Sequence, residues 1–132
     1  MRRTIVGGGT AAAAVAALVA VCAAQQPGFK RAEIQRADLS TPGREVVMVI
    51  ADIPASATSG RHTHPGEEVA YVLEGAILLD VAGKSPVTLK MGQGFVIPAG
   101  VPHSATNNAS APARVLANYI IEKGKPIATP AP

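Results

Sequence analysis

From Glu45 onward the chain alternates short apolar runs with glycine and proline, and this pattern restricts the fold more than any other feature. The runs read EVVMVIADI, EVAYVLEG, AILLDVAG, PVTLK, GFVIPAG and ARVLANYIIEK. They are rich in Val and Ile, and turn residues such as Pro54, Gly75 and Gly100 bound them. Short strands spaced roughly eight to twelve residues apart are typical of an all-β sandwich or barrel, and they argue against alternating βαβ units.

The first 24 residues have a different composition and the layout of an export signal. Arg2 and Arg3 precede an uncharged Ala/Val/Gly run that ends at Cys22-Ala23-Ala24, as in a cleavable secretory signal. We expect cleavage after Ala24, which predicts an exported protein, periplasmic or secreted. A retained membrane anchor is the alternative, although a run of Ala and Gly is weakly hydrophobic for a bilayer span. After cleavage we expect no stable membrane span.

The rest of the chain divides into three parts by composition. Residues 25–43 are mixed and polar and form an N-terminal arm, in which FKRAEIQRADLS is compatible with a short helix or an irregular segment. Residues 44–123 contain the predicted strands and form the β-barrel domain. Residues 124–132 hold three prolines, which predicts an extended or disordered tail.

Charge and cysteine content restrict the partners and the sources of stability. The whole chain has 12 Lys and Arg against 9 Asp and Glu, and without Arg2 and Arg3 the net charge falls from +3 to +1. The sequence shows no basic cluster and has few aromatic residues, so we expect no nucleic-acid surface. The single cysteine, Cys22, lies in the signal. The mature domain must therefore rely on its core, a metal or oligomerisation.

Two of the three histidines lie close together in GRHTHPGEEVAYVLEG. His62 and His64 are two residues apart, so on a strand they point to the same face. Glu68 keeps the same parity, although Pro65 and Gly66 predict a bend before it. Two imidazoles and a carboxylate are suitable ligands for a divalent transition metal.

The third histidine lies in MGQGFVIPAGVPHSATN and strengthens the metal hypothesis. Gly92, Pro98, Gly100 and His103 follow the spacing G-x5-P-x-G-x2-H, and Asn107 stands four positions after the histidine. The Pro98–Gly100 turn redirects the chain, and we expect His103 to begin the next strand.

With these two segments the sequence resembles the cupin superfamily. Its first motif, G-x5-H-x-H-x3,4-E-x6-G, is matched by His62, His64, Glu68 and Gly75, and it departs only at the leading glycine, where Ser56 stands. Its second motif, G-x5-P-x-G-x2-H-x3-N, is matched at every position. The two motifs span residues 56–107, about half of the chain that follows Ala24.

The resemblance implies a small antiparallel jelly-roll β-barrel with one divalent transition metal inside, held by His62, His64, Glu68 and His103. Fe, Mn, Ni, Cu, Co and Zn all accept such a ligand set. One or two coordination positions would remain open for a small-molecule ligand or substrate. Single-barrel members of the family are commonly homodimers, so we expect a homodimer.

Three functions remain open for such a site. In the first, a dioxygenase-type oxidoreductase, Glu68 is the catalytic proton acceptor, and an apolar lining such as Val72, Val96 and Ile97 accepts an aromatic or enolic substrate. The second is a metal-dependent isomerase or lyase, which needs a further acid or base that the sequence supplies poorly. The third is a non-catalytic module that binds a metal or a small molecule.

Other polar residues of the two motifs are expected to lie outside the chemistry. Glu67 and Tyr71 have the opposite parity to Glu68 and should point away from the barrel interior. Asn107 is expected to make turn hydrogen bonds and to play no catalytic part.

Overall fold

The computed structural model describes residues 28–132, and the signal segment 1–24 predicted from the sequence lies outside these residues. Within the described part, strands are the only regular structure. A search of the same part finds no helix with the length and apolarity needed to cross a bilayer. The ten strands are β1 Lys30–Asp38, β2 Arg44–Ile53, β3 His62–Thr63, β4 Glu67–Glu74, β5 Ala76–Val81, β6 Val87–Lys90, β7 Gly94–Ile97, β8 His103–Thr106, β9 Ala113–Glu122 and β10 Thr129–Pro130.

The strands form two five-stranded antiparallel sheets. The first sheet has the order β1-β2-β9-β4-β7, and the second has the order β10-β3-β8-β5-β6. This architecture confirms the predicted all-β fold with antiparallel pairing. Each strand predicted from the apolar runs is present, and His103 begins β8 as expected.

Alternation of side chains along the strands creates the core between the sheets. In β2, for example, Val47, Val49, Ala51 and Ile53 are buried, whereas the residues between them are partly exposed. The same period of two in β4, β5 and β9 turns Val72, Ile77 and other branched side chains inward. Burial of these apolar side chains is the main favourable contribution to folding.

The segment predicted as a short helix or an irregular arm is a strand. Residues 30–38 form β1, an edge strand that pairs with β2 from Lys30↔Asp52 to Asp38↔Glu45. The helix alternative was wrong. The strand was not recognisable in the sequence because it is polar along most of its length and lacks the apolar alternation of a strand with one buried face. A register shift between Glu33 and Gln35 further obscures its period.

The proline-rich tail is extended and rests on the second sheet. Thr129 and Pro130 pair with Thr63 and His62 of β3, and the Ala131 N–H donates to the Arg61 carbonyl at 3.0 Å. The tail therefore covers one edge of the strand that carries the first two histidines.

Candidate metal centre

All four predicted ligands meet between the two sheets. His62 on β3 and His103 on β8 are direct cross-strand partners in the second sheet, and Glu68 comes from β4 in the first. His64 follows β3 immediately. All four residues are buried, and one ligand atom from each lies within 4.8 Å of the others.

The atoms that converge are the Nε2 atoms of the histidines and one carboxylate oxygen. The Nε2 atoms of His62 and His64 lie 3.1 Å apart. Oε2 of Glu68 lies 3.0 Å from Nε2 of His64 and 3.1 Å from Nε2 of His103. The cluster therefore points a negative charge and several nitrogen lone pairs at one small volume.

Backbone carbonyls fix the orientation of each imidazole. In every case Nδ1–H donates to a carbonyl oxygen, which leaves the lone pair of a neutral ring on Nε2. Support of this kind holds metal-ligating histidines in one tautomer and one orientation. The donor–acceptor pairs are His62 to Gly60 at 2.8 Å, His64 to Ile127 at 2.5 Å and His103 to Val101 at 2.9 Å. The four residues thus fit a divalent transition metal by donor type, tautomer and burial.

The pKa values of two ligands are shifted toward the forms that bind metal. Burial lowers the pKa of His62 to about 4, so its ring is neutral at physiological pH. Burial alone raises the pKa of Glu68, but the imidazoles of His103 and His64 outweigh this effect and lower the pKa to about 2. Glu68 is therefore an anion whenever His62 is neutral.

Gly66 allows the chain to turn between the last histidine and the glutamate. Pro65 and Gly66 form the predicted bend, and β4 begins at Glu67. A Cβ atom at Gly66 would lie 1.8 Å from the carbonyl oxygen of Ile120, so only glycine allows this approach to β9. The bend carries the chain from one sheet to the other and brings Glu68 opposite His103.

A pocket opens beside the ligands, and the space of about 340 Å³ in and in front of it includes open solvent. Its wall is largely apolar and contains Phe29, Ala51, Ile53, Leu79, Phe95, Ala105 and Val115. The lining predicted from the sequence was wrong. Val72 and Ile97 are buried in the core away from this pocket, and Val96 is 58 % exposed on the outer face of β7. Neighbouring residues of a strand face opposite ways, so Val96 and Ile97 cannot share one pocket.

Tyr119 and Arg31 line the pocket but received no role in the sequence analysis. Tyr119 of β9 pairs in register with Glu68 and is 2 % exposed, and the centre of its ring lies 4.4 Å from that of the tilted His64 ring. Burial, with a smaller contribution from Glu68, raises the pKa of Tyr119 to about 12. Arg31 of β1 donates from Nε to the Tyr119 hydroxyl at 3.3 Å. The parity of β9 could have indicated Tyr119, but the sequence holds no signal for Arg31.

The residues expected to lie outside the site do so. Glu67 and Tyr71 are exposed on the outer face of β4, and Glu67 forms an ion pair with Arg44 at 3.0 Å. Asn107 is fully buried and joins three backbone groups. Its Nδ2 donates to the carbonyls of Ile53 and Ala111, and its Oδ1 accepts from the Ala109 N–H.

Comparison with protein families agrees with this geometry. The family model described as "Cupin domain" matches residues 49–119, more than half of the chain and all four ligands. The chain belongs to the cupin family. Cupins typically bind a divalent metal, and the His62, His64, Glu68 and His103 cluster is where this cupin would hold one.

Similar proteins differ widely in what they do. The HTH-type transcriptional regulator PuuR of Escherichia coli is 35% identical over 79 residues, which cover 59% of this chain and 42% of PuuR. The 3-hydroxyanthranilate 3,4-dioxygenase of Bos taurus is 48% identical over 46 residues, 33% of this chain and 16% of that protein. The chain thus spans less than half the length of these curated relatives.

Solved structures support the fold. A conserved protein from Klebsiella pneumoniae with a double-stranded β-helix domain superposes with a TM-score of 0.64 at 16% identity, covering 76% of this chain and 84% of that one. This likeness confirms the jelly-roll architecture.

Proposed function

We propose that this cupin is a metal-dependent oxidoreductase of the dioxygenase type that acts on a small aromatic or enolic substrate. The observation that carries the proposal is the position of the three Nε2 atoms and the Glu68 carboxylate beside a largely apolar pocket. A bound iron, manganese, nickel or copper ion would supply redox and Lewis-acid chemistry there. The similarity to a dioxygenase supports the same reaction class.

The residues of the chain determine how a substrate would lie. Phe29 and Phe95 line the pocket and suit a planar ligand. Glu68 is ionised, and in this reaction it would accept the proton of the substrate hydroxyl. The phenol of Tyr119 stays protonated at physiological pH and is available as a hydrogen-bond donor to a developing oxyanion.

A second candidate is a cupin that binds a metal or a small molecule without turnover. The similarity to the regulator PuuR favours it, because that relative is a regulator by name and matches this chain over 79 residues. A metal-dependent isomerase or lyase is the third candidate, and Tyr119 is the one further acid available to it among the described residues that line the pocket.

One assay separates the three candidates. The purified full chain is loaded with each metal in turn and offered catechols, flavonols and β-diketones under O2 and under nitrogen. Metal-dependent O2 uptake with loss of substrate is the expected result. Turnover that persists under nitrogen would assign an isomerase or lyase instead, and tight ligand binding without turnover would assign a binding module.

We also propose a homodimer that forms through the outer face of the first sheet. The face carries apolar side chains on four adjacent strands, with Val69, Tyr71 and Val96 40 %, 46 % and 58 % exposed. Cross-strand pairing joins Ile50, Leu116 and Tyr71 in one row, and Val69 lies beside Val96. Exposed apolar side chains that lie side by side on one face are typical of an interface. Export through the N-terminal segment remains part of the proposal.

A further inference from the structure

Arg31 lies at the junction of the pocket and the ligand cluster. It faces the interior from β1, opposite Ala51, which lines the same pocket. Its Nη2 lies 3.1 Å from Nε2 of His62 and donates to it. The guanidinium carbon lies 4.7 Å from the centre of the Phe29 ring, so a cation–π contact holds the charge in place.

The charge of Arg31 has no anionic side chain as a partner among residues 28–132. The arginines at the surface do have such partners, as with Arg44 and Glu67 or Arg114 and Asp52. Glu68, the acid of the site, directs Oε2 to His64 and His103. Arg31 is thus a partly buried cation that faces a pocket, and its polar and cation–π contacts within residues 28–132 are with a phenol, an imidazole and an aromatic ring.

A metal on Nε2 of His62 would change the partners of Arg31. The Nε2 lone pair can serve the guanidinium or the ion, but not both. The guanidinium would then lose a hydrogen-bond acceptor and would be repelled by the positive charge of the ion. An anion beside it would stabilise it more strongly than in the metal-free site. A negatively charged ligand placed between the ion and Arg31 would satisfy both cations.

We propose that the pocket recognises small carboxylic acids, and that Arg31 pairs with their carboxylate while their apolar body lies against the Phe29 and Phe95 side of the pocket. A guanidinium presents parallel N–H donors that match the two oxygens of a carboxylate. This inference rests on the proposed metal-dependent function. It narrows the substrate class from aromatic or enolic compounds to aromatic or enolic acids.

Calorimetry with a matched pair of probes tests this assignment. The full chain is loaded with Zn²⁺, which is redox-inert, and titrated with 2-hydroxybenzoate and with 2-hydroxybenzamide, its neutral analogue. The Arg31→Gln variant should bind the benzoate about 10- to 100-fold more weakly than the wild type and bind the benzamide with unchanged affinity. The control is Lys30→Gln, which removes the same charge from the exposed neighbouring residue on β1 and should leave both affinities unchanged.

Zinc affinity, measured by competition with a chelator, provides an independent readout. Arg31→Gln should bind Zn²⁺ at least as tightly as the wild type, because it removes a competing donor and a like charge. Unchanged benzoate binding in Arg31→Gln, or an equal loss for both probes, would overturn the role of Arg31 while the metal centre stands. A wild-type chain that binds no Zn²⁺ would instead overturn the proposed metal-dependent function.

Discussion

Ser56 adopts a backbone conformation that favours glycine. Its φ is +64°, the only positive φ of a non-glycine residue among residues 28–132. This is also the position at which the first cupin motif has glycine, so the departure from the motif replaces the residue and keeps the turn. The left-handed conformation costs an L-residue about 1–2 kcal/mol. Glycine would relieve this strain, but it would also increase the conformational entropy of the unfolded chain, which offsets part of the gain.

We predict that Ser56→Gly stabilises the protein by about 0.5–1 kcal/mol, because the strain at this turn outweighs the added entropy of the unfolded state. The melting temperature of the metal-free protein should rise by about 2–6 °C. Ser40→Gly is the matched control, since Ser40 is also exposed but is absent from the residues with positive φ. A Ser56→Gly variant that melts at or below the wild-type temperature would show that the turn is not strained.

Residues with a fixed spacing were predictable, and isolated residues were not. The four ligands could be located because His-x-His and the second motif fix both residue type and distance along the chain. Asn107 followed from the same motif. Arg31 belongs to no motif and lies on a strand that the sequence did not reveal. Its role emerges only when β1 pairs with β2 and places the guanidinium beside His62.

At the level of elements, the tail and β3 form one unit around the metal ligands. β3 has only two residues, and its edges are covered by β8 on one side and β10 on the other. The tail also supplies the carbonyl of Ile127 that orients His64. The sequence could not show this contact, because a backbone carbonyl leaves no trace in the residue type.

We therefore predict that a chain truncated after Lys125 binds metal about 10- to 100-fold more weakly, which is the usual effect of losing a group that orients a ligand. Chelator competition measures the affinity. The control lacks Pro132 only and keeps the Ile127, Thr129 and Ala131 contacts, so it should match the wild type. Equal affinities in the truncated and full chains would contradict a role for the tail.

At the level of the whole molecule, the ligands connect the two sheets. His62, His64 and His103 come from the second sheet or its border, and Glu68 comes from the first. Binding of a metal to the folded state alone should therefore raise the melting temperature, and the rise should grow with the metal concentration.

Dimerisation through the outer face of the first sheet is testable with one pair of substitutions. Val96 and Val87 are exposed to similar extents, 58 % and 47 %, but lie on different sheets. Val96→Asp should convert the dimer to a monomer, because it buries an unpaired charge in the interface, whereas Val87→Asp should remain a dimer. Light scattering coupled to size exclusion gives the mass. A monomeric wild type, or a dimeric Val96→Asp variant, would contradict this interface.

The metal content of two neighbouring glutamate variants tests the central claim most directly. Glu68 is buried with its carboxylate between two imidazoles, whereas the side chain of Glu67 is 47 % exposed and pairs with Arg44. Elemental analysis after metal loading and dialysis should find about one ion per chain in the wild type and in Glu67→Gln. Glu68→Gln should retain far less, with an affinity reduced by more than about tenfold. Equal metal content in Glu68→Gln and Glu67→Gln would contradict the assignment of His62, His64, Glu68 and His103 as one metal site.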